Sequence, residues 1–209
     1  PLNRLLAAFH ASDEMEMPSL TSAQLLQSLA KNSLDLILTG EKGPEAEDTV
    51  RYAWVYREPL RIAMPSAHPA SLSENVALEA LADLPLCWFP RSANPQFYDK
   101  CERYFSTLSV TLKRGREPED SLLMLAHIAR GKGFALMPQS KCTFHQAGLC
   151  YRPLADDAAK QLAIDVYAAI RADETNAAVV NALIALSQPD EPEALSLIHI
   201  SEPTRPEPI

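Results

Sequence analysis

The sequence predicts an α/β fold in which helices and short apolar strands alternate around a mostly parallel sheet covered on both faces. In some segments apolar residues recur every three or four positions, which is typical of amphipathic helices. In others they form short unbroken runs, which are typical of strands buried on both sides. The two kinds of segment alternate almost throughout the chain, which is the order expected of α/β units.

The elements follow from these patterns in chain order. Leu2, Leu5, Leu6 and Phe9 lie at helical spacing, and Glu14–Met17 alternates with the period of a strand. The remaining strands are predicted at 34–38, 52–56, 60–64, 86–89, 110–112, 134–137 and 163–169. The remaining helices are predicted from residue 22 onward and at 78–81, 97–108, 121–130 and 175–186.

Length and charge exclude several classes of protein. The 209 residues, 47% hydrophobic and 22% charged, suit one large or two small globular domains. Nineteen basic against 27 acidic residues give a net charge of −8, without a basic cluster that could hold a phosphate backbone. We find no apolar run of the ~20 residues that a membrane span requires.

The C-terminal tail differs in kind from the rest. Residues 189–209 hold five of the 17 prolines and show no sustained periodicity. The stretch from Ser196 to Pro206 resembles translated sequencing-adapter DNA. We therefore expect residues 195–209 to be a non-native tail and leave them out of the fold prediction.

Catalytic and metal-binding motifs are weak. We find no nucleophile elbow, phosphate-binding loop or dinucleotide fingerprint in the sequence. Cys142 and His145 have the spacing of metal ligands, but a second pair is absent, so no metal or cofactor is expected. His68 lies in a turn before Pro69, and we interpret it as a local hydrogen-bonding residue and not as a catalytic base. The four cysteines, which form no CxxC pair, indicate reduced thiols in a cytoplasmic protein, although an exported protein could carry two disulfides.

Two strand-to-helix junctions favour binding of a small acid. Thr21 and Ser22 open a helix whose first N–H groups and dipole attract a carboxylate, and their hydroxyls add donors. Thr21 and Gln24 also have capping-box spacing, so Thr21 could serve as a cap alone. The second junction, residues 91–97, combines a cation, amides and an aromatic ring. The candidate residues are Thr21, Ser22, Pro95, Phe97, Arg91, Ser92 and Ser121.

Ordered motifs over residues 2–186 resemble the effector-binding domain of LysR-type transcriptional regulators. The helix around 5–10 resembles the helix after the family's first strand. Residues 20–38 are similar to the family's "T-x-x-Q…L-D-L" run, and 59–69 to its "P-L-x-L-x-x-P-x-x-H-P" strand and turn. Residues 81–86 and 128–138 match two further family stretches. Each match is weak alone, but five in order are strong together.

The resemblance implies two Rossmann-like subdomains joined by two crossover strands, as in type 2 periplasmic-binding proteins. Subdomain I would combine residues 1–60 with 155–188, and subdomain II would span 61–154, with crossovers near 61–65 and 150–154. The similarity is greatest to the branch that regulates aromatic catabolism, in which the position of Thr21 binds an effector carboxylate and the Pro95-Gln96-Phe97 turn lines the cleft. A branch arginine has no counterpart, because Gly40 stands near its place.

These features predict a sensor that binds an aromatic or dicarboxylic acid between its subdomains and catalyses no reaction. The resemblance further implies a cytoplasmic homodimer or homotetramer that reads DNA through an N-terminal helix-turn-helix, which we expect upstream of Pro1, together with the family's first strand. One alternative is an exported solute-binding protein of the same fold. Another is a hydrolase or transferase that uses His127 or His145 with a cysteine.

Overall fold

The computed structural model describes residues 20–43, 48–116 and 120–187. The helix predicted over Leu2–Phe9, the strand over Glu14–Met17 and the tail at 195–209 lie outside these residues. Within them, helices lie at α1 (Ser22–Ala30), α2 (Pro95–Phe105), α3 (Ser121–Ala129), α4 (Asp156–Leu162) and α5 (Ala177–Ser187). The strands are β1 (Ile37–Gly40), β2 (Val50–Glu58), β3 (Leu60–Pro65), β4 (Leu86–Trp88), β5 (Arg114–Arg116), β6 (Phe134–Pro138), β7 (Leu149–Pro153) and β8 (Ile164–Arg171).

The first sheet has three strands in the order β1-β8-β2, all antiparallel to their neighbours. Helix α1 covers one face, where Leu29 packs on Ile37 and Ala169. Helix α5 covers the other face, where Leu183 packs in a cluster with Ile170. Because successive side chains of a strand point to opposite faces, both faces of β8 are buried.

The second sheet has five strands in the order β5-β4-β6-β3-β7. One face carries the larger core, in which α2 and α4 pack against apolar side chains such as those of Ile62, Leu86 and Phe134. Helix α3 covers the other face through Met124, Leu125 and Ile128. Among the described residues, the chain passes from the first sheet to the second at Pro59 and returns after β7.

The prediction of a mostly parallel sheet is wrong for the described strands, because four of their six pairings are antiparallel. The two parallel pairings among the described strands join β4 to β5 and β4 to β6. The alternation of helices and strands does not show which sheet a strand joins. Strand β3 follows the connection from the first sheet, and strand β7 precedes the connection back to it. These two strands pair antiparallel with each other, so the expectation that strands separated by helices run parallel does not hold for them.

Two strands lie later in the chain than predicted. The first begins at Ile37 instead of Leu34 because Arg171 holds the preceding turn, donating to the Leu34 carbonyl (2.8 Å) and to Asp35 (2.8 Å). The strand expected at 110–112 is instead β5, at 114–116, where Arg114 pairs with Leu86. Leu112 is buried in the larger core, so its apolar character reflects packing and not strand pairing.

Candidate functional site

Helix α1 begins with the predicted capping box. The Thr21 hydroxyl accepts a hydrogen bond from the Gln24 amide (3.3 Å), and the Thr21 amide donates to Gln24 Oε1 (2.9 Å). The capping box occupies the amides of Thr21 and Gln24 but not those of Ser22 and Ala23, which no carbonyl within the helix can reach. The positive end of the helix therefore presents two backbone donors beside the Ser22 hydroxyl.

A cavity of about 470 Å³ lies at this helix start. This volume falls within the range of sites that hold small molecules. Its wall joins α1 and the first sheet to the segment that leads into α2. The lining residues are Ser22, Ala23, Leu26, Ala30, Thr39, Gly40, Glu41, Gly43, Thr49, Val50, Tyr52, Arg91, Asn94, Pro95 and Gln96.

Three of the predicted site residues, Ser22, Arg91 and Pro95, therefore line one cavity. Thr21 and Ser92 line a shallower groove of about 450 Å³, which shares Ala23 with the cavity. The two junctions that sequence reasoning singled out are thus brought together, around the start of α1.

Two other predicted residues, both in the described part of the chain, line neither the cavity nor the groove. The Phe97 ring is 6% exposed and stacks on Phe89 in the larger core, with ring centroids 6.0 Å apart. Ser121 is exposed and is the first residue of α3. The backbone amide of Phe97 donates a hydrogen bond to Oδ1 of Asn94, and it is Asn94 that lines the cavity.

The charge of Arg91 is compensated by Asp99. The guanidinium donates two hydrogen bonds to the carboxylate, at 2.7 and 2.6 Å. The hydrogen bond from Arg91, aided by its charge, lowers the pKa of Asp99 despite some desolvation. Arg91 therefore lines the cavity as a paired cation, and a bound acid would depend more on hydroxyl and N–H donors.

Two buried hydroxyls that sequence reasoning missed belong to residues lining the same cavity. Thr39 is 3% exposed, and its hydroxyl has no hydrogen-bond partner within the described residues. Burial raises the pKa of Tyr52 more than the backbone of Gly43 lowers it. Only the register of β1 and β2 against β8 brings Thr39 and Tyr52 to one face, and sequence spacing carries no signal of that register.

A polar cluster beside the cavity joins the two sheets. Lys100 of α2 donates to Glu41 Oε1 and to the carbonyl of Ala163, both at 2.7 Å. Glu41 follows β1 in a left-handed conformation, with φ at 63°, and its amide donates to the carbonyl of Asp165 (2.8 Å). Arg57 binds the Asp165 carboxylate through two hydrogen bonds of 2.9 and 3.0 Å. The cluster fixes the backbone turn at Glu41, which follows β1, against helix α2.

Acid is expected to weaken this cluster. Burial by itself raises the pKa of Asp165, but hydrogen bonds from Arg57 and Trp54 and the charges of Arg57 and Lys100 lower it overall. Because the folded-state pKa lies below the unfolded value of about 3.9, the stabilisation is present above that pH and is lost as pH falls through the folded-state pKa.

Asp165→Asn is therefore expected to reduce the free energy of unfolding at pH 7 by about 1 kcal/mol, because Arg57 and Lys100 lose their anionic partner. Urea unfolding of both proteins should show a constant difference from pH ~7 to ~5, which shrinks below pH ~4. A difference that grows on acidification would contradict this assignment.

One of the histidines and two of the cysteines that invited a catalytic interpretation have structural surroundings. His68 accepts a hydrogen bond from the Ala70 amide (3.2 Å) and contacts Asp83 (3.2 Å), which confirms its local role. Burial raises the pKa of Cys101 to about 12 and that of Cys142 to about 11, so both thiols resist forming the nucleophilic thiolate. Among the described residues, no group of three or more His, Cys, Asp or Glu could hold a metal ion.

Comparison with known proteins identifies the family. The family described as the LysR substrate binding domain matches residues 2–190. The HTH-type transcriptional regulator BudR of Raoultella terrigena is 28% identical over 142 residues, covering 66% of this chain and 47% of the relative. IlvR of Caulobacter vibrioides is also 28% identical over 142 residues, 64% of this chain and 47% of the relative. The chain thus spans about half the length of these curated relatives.

Solved structures show the same fold. The BenM effector binding domain with its effector benzoate has a TM-score of 0.70 at 21% identity, covering 89% of this chain and 82% of that chain. The effector binding domain of QuiR in complex with shikimate has a TM-score of 0.70 at 14% identity, covering 89% and 88%. The α/β fold of the periplasmic-binding-protein type is thereby confirmed.

Within the described ranges, none of the helices has the length and apolar character to cross a membrane. Because LysR proteins are transcriptional regulators, the family match also confirms the sequence-based preference for binding over catalysis. The chain belongs to the LysR family, as the effector-binding domain of a LysR-type transcriptional regulator.

Proposed function

We propose that this domain binds a small carboxylic acid in the cavity at the start of α1. The observation that carries the proposal is the meeting of the free N–H groups of Ser22 and Ala23 with a cavity of about 470 Å³. The Ser22 hydroxyl adds a donor, while Leu26, Val50 and Pro95 provide apolar surface. An acid with a compact apolar body, aromatic or dicarboxylic, suits this combination.

The ligands of the structural neighbours support this class. Benzoate in BenM and shikimate in QuiR are both small ring-bearing carboxylic acids. Thr21 and Ser92 belong to the proposed site through the adjoining groove, and Arg91 and Pro95 through the cavity itself. We place Phe97 behind the site, where it supports the wall, and leave Ser121 out.

In the proposed mechanism, the bound ligand changes the orientation of the two subdomains relative to each other. The sequence predicts that subdomain I combines residues 1–60 with 155–188 and that subdomain II spans 61–154, and we adopt this division with one change. The packing of α4 in the larger core supports moving the second boundary from 155 to the end of that helix, at Leu162. A ligand that contacts both subdomains favours the arrangement in which both sets of contacts form.

In the whole protein, this shift would act on transcription through a DNA-binding helix-turn-helix outside this sequence, in a cytoplasmic homodimer or homotetramer. The names of the curated relatives support the DNA-binding part of this proposal. The family match favours a regulator over an exported solute-binding protein.

The test is calorimetric titration of the domain with benzoate, with shikimate and with muconate, which represents the dicarboxylic acids. Ser22→Ala is expected to weaken binding of a responding acid by about tenfold, because a hydrogen bond to a charged ligand is lost. Ser28→Ala, on the same helix at a position that does not line the cavity, is the matched control and should bind like wild type. Ser22 is preferred to Thr21 because removing the cap residue would itself cost about 1 kcal/mol of stability. Equal affinity of the Ser22→Ala variant and wild type would overturn the assigned site.

A further inference from the structure

The two ends of the Asn94 side-chain amide serve different parts of the molecule. Its Oδ1 accepts a hydrogen bond from the Phe97 amide (3.1 Å) and so caps α2. Its Nδ2 donates to the carbonyl of Gly40 (3.0 Å) and to the hydroxyl of Ser22 (3.2 Å). Gly40 and Ser22 belong to β1 and α1 of the first sheet's layer, whereas α2 packs on the second sheet.

This close approach requires a glycine at position 40. A Cβ placed on Gly40 would lie 3.3 Å from Asn94 Nδ2 and 2.8 Å from Cγ2 of Ile164. Any side chain at this position would therefore push Asn94 or Ile164 away. Because glycine has no side chain, the amide of Asn94 can approach closely enough to donate to the Gly40 carbonyl.

Asn94, Ser22 and Gly40 all line the cavity. We propose that Asn94 is a positioning residue: by joining α2 to Ser22 and Gly40 across the cavity, it holds the ligand-binding arrangement of the two subdomains. This inference rests on the proposed function and specifies how the site is regulated. Because Nδ2 can reach both acceptors only when the two subdomains lie close together, its hydrogen bonds favour the same arrangement as a ligand that touches both.

The affinity of a ligand falls in proportion to the fraction of the protein that is in the binding arrangement. Weakening the Asn94 bridge is therefore expected to weaken ligand binding even where the ligand does not contact the altered atoms. A residue that merely supported the fold would instead change the stability and leave the affinity alone.

The first measurement needs no ligand. In NMR spectra of the isotope-labelled wild-type domain, the side-chain NH₂ of Asn94 is expected to show NOEs to backbone protons of Gly40 and Glu41. It should also exchange with solvent more slowly than the side-chain NH₂ of the exposed Asn181. Absence of these NOEs would overturn the bridge, whatever the domain binds.

The second measurement uses Asn94→Ser. Serine is as good a helix cap as asparagine, so α2 keeps its cap, but its side chain is too short to reach the Gly40 carbonyl and introduces no charge. The dissociation constant for benzoate or shikimate, whichever the wild type binds, is expected to rise about tenfold, while Tm stays within about 2 °C. Asn181→Ser, the same substitution on the exposed side of α5, should match wild type in both.

The outcomes separate the two proposals. If the wild-type domain binds none of the acids, the proposed function fails, and the regulatory role of Asn94 fails with it. If wild type binds and the Asn94→Ser variant binds equally well, only the role of Asn94 is overturned. If the variant loses affinity only in step with a large fall in Tm, Asn94 is a structural cap and the inference is likewise overturned.

Discussion

Ala23→Glu is expected to abolish acid binding, with a loss of at least about 100-fold, while leaving the fold intact. Ala23 lines both the cavity and the adjoining groove, so a glutamate there places its carboxylate where a ligand's carboxylate would lie. Two like charges in one site cost several kcal/mol. The same charge in the first turn of α1 interacts favourably with the helix dipole, so Tm should stay constant or rise by about 1–4 °C.

Gln24→Glu is the matched control for this variant. It adds the same charge in the same helical turn, but Gln24 is exposed and lines only the adjoining groove, not the cavity in which we place the ligand's carboxylate. A glutamate at this position keeps the capping box with Thr21. Isothermal titration with the acid that wild type binds should show at most about a threefold loss for Gln24→Glu. Equal losses for the two variants would indicate general charge repulsion and remove the argument for a site at Ala23.

Phe134→Ala is expected to have the largest effect on stability. Phe134 is fully buried in the larger core, at the start of the central strand β6 of the five-stranded sheet. Truncation of a buried phenylalanine costs about 3–5 kcal/mol, because the lost apolar burial is compounded by the cavity left behind. For a domain of this size, the change corresponds to a fall in Tm of about 10 °C.

Leu72→Ala supplies the contrast, because Leu72 is 91% exposed. Its free energy of unfolding should stay within about 0.5 kcal/mol of wild type. Chemical denaturation of wild type, Phe134→Ala and Leu72→Ala at one pH measures the two changes in the free energy of unfolding. A loss below 1 kcal/mol for Phe134→Ala would contradict the position of this strand at the centre of the core.

Local features of the fold could be predicted because their causes lie within a few residues. Thr21 and Gln24 form a capping box across three positions, and both partners are visible in the sequence. The apolar face of α2 follows from helical spacing, and Phe97, Cys101, Tyr104 and Phe105 are buried on it. The apolar run at 134–137 forms β6, which extends one residue further, to Pro138.

Features that depend on distant partners could not be predicted. The direction of β3 depends on β6 and β7, which follow it by about 75 and 90 residues. The bridge from Asn94 to Gly40 spans 54 positions and exists because two separate layers meet. Nothing in the sequence around Thr39 indicates a buried hydroxyl. The aromatic character of Phe97 suggested that it lines the cavity, but its ring packs in the larger core instead.

The central claim, that a small acid binds at the start of α1, is tested most directly by an NMR titration of the isotope-labelled domain with benzoate and with shikimate. The account predicts saturable shifts centred on the amides of Ser22, Ala23 and Gln96, with smaller changes at Gly40. Shifts centred elsewhere, such as the shallow groove around Arg61 and Arg152, would contradict the assigned site. If neither acid shifts any resonance at millimolar concentration, the proposed ligand class is wrong.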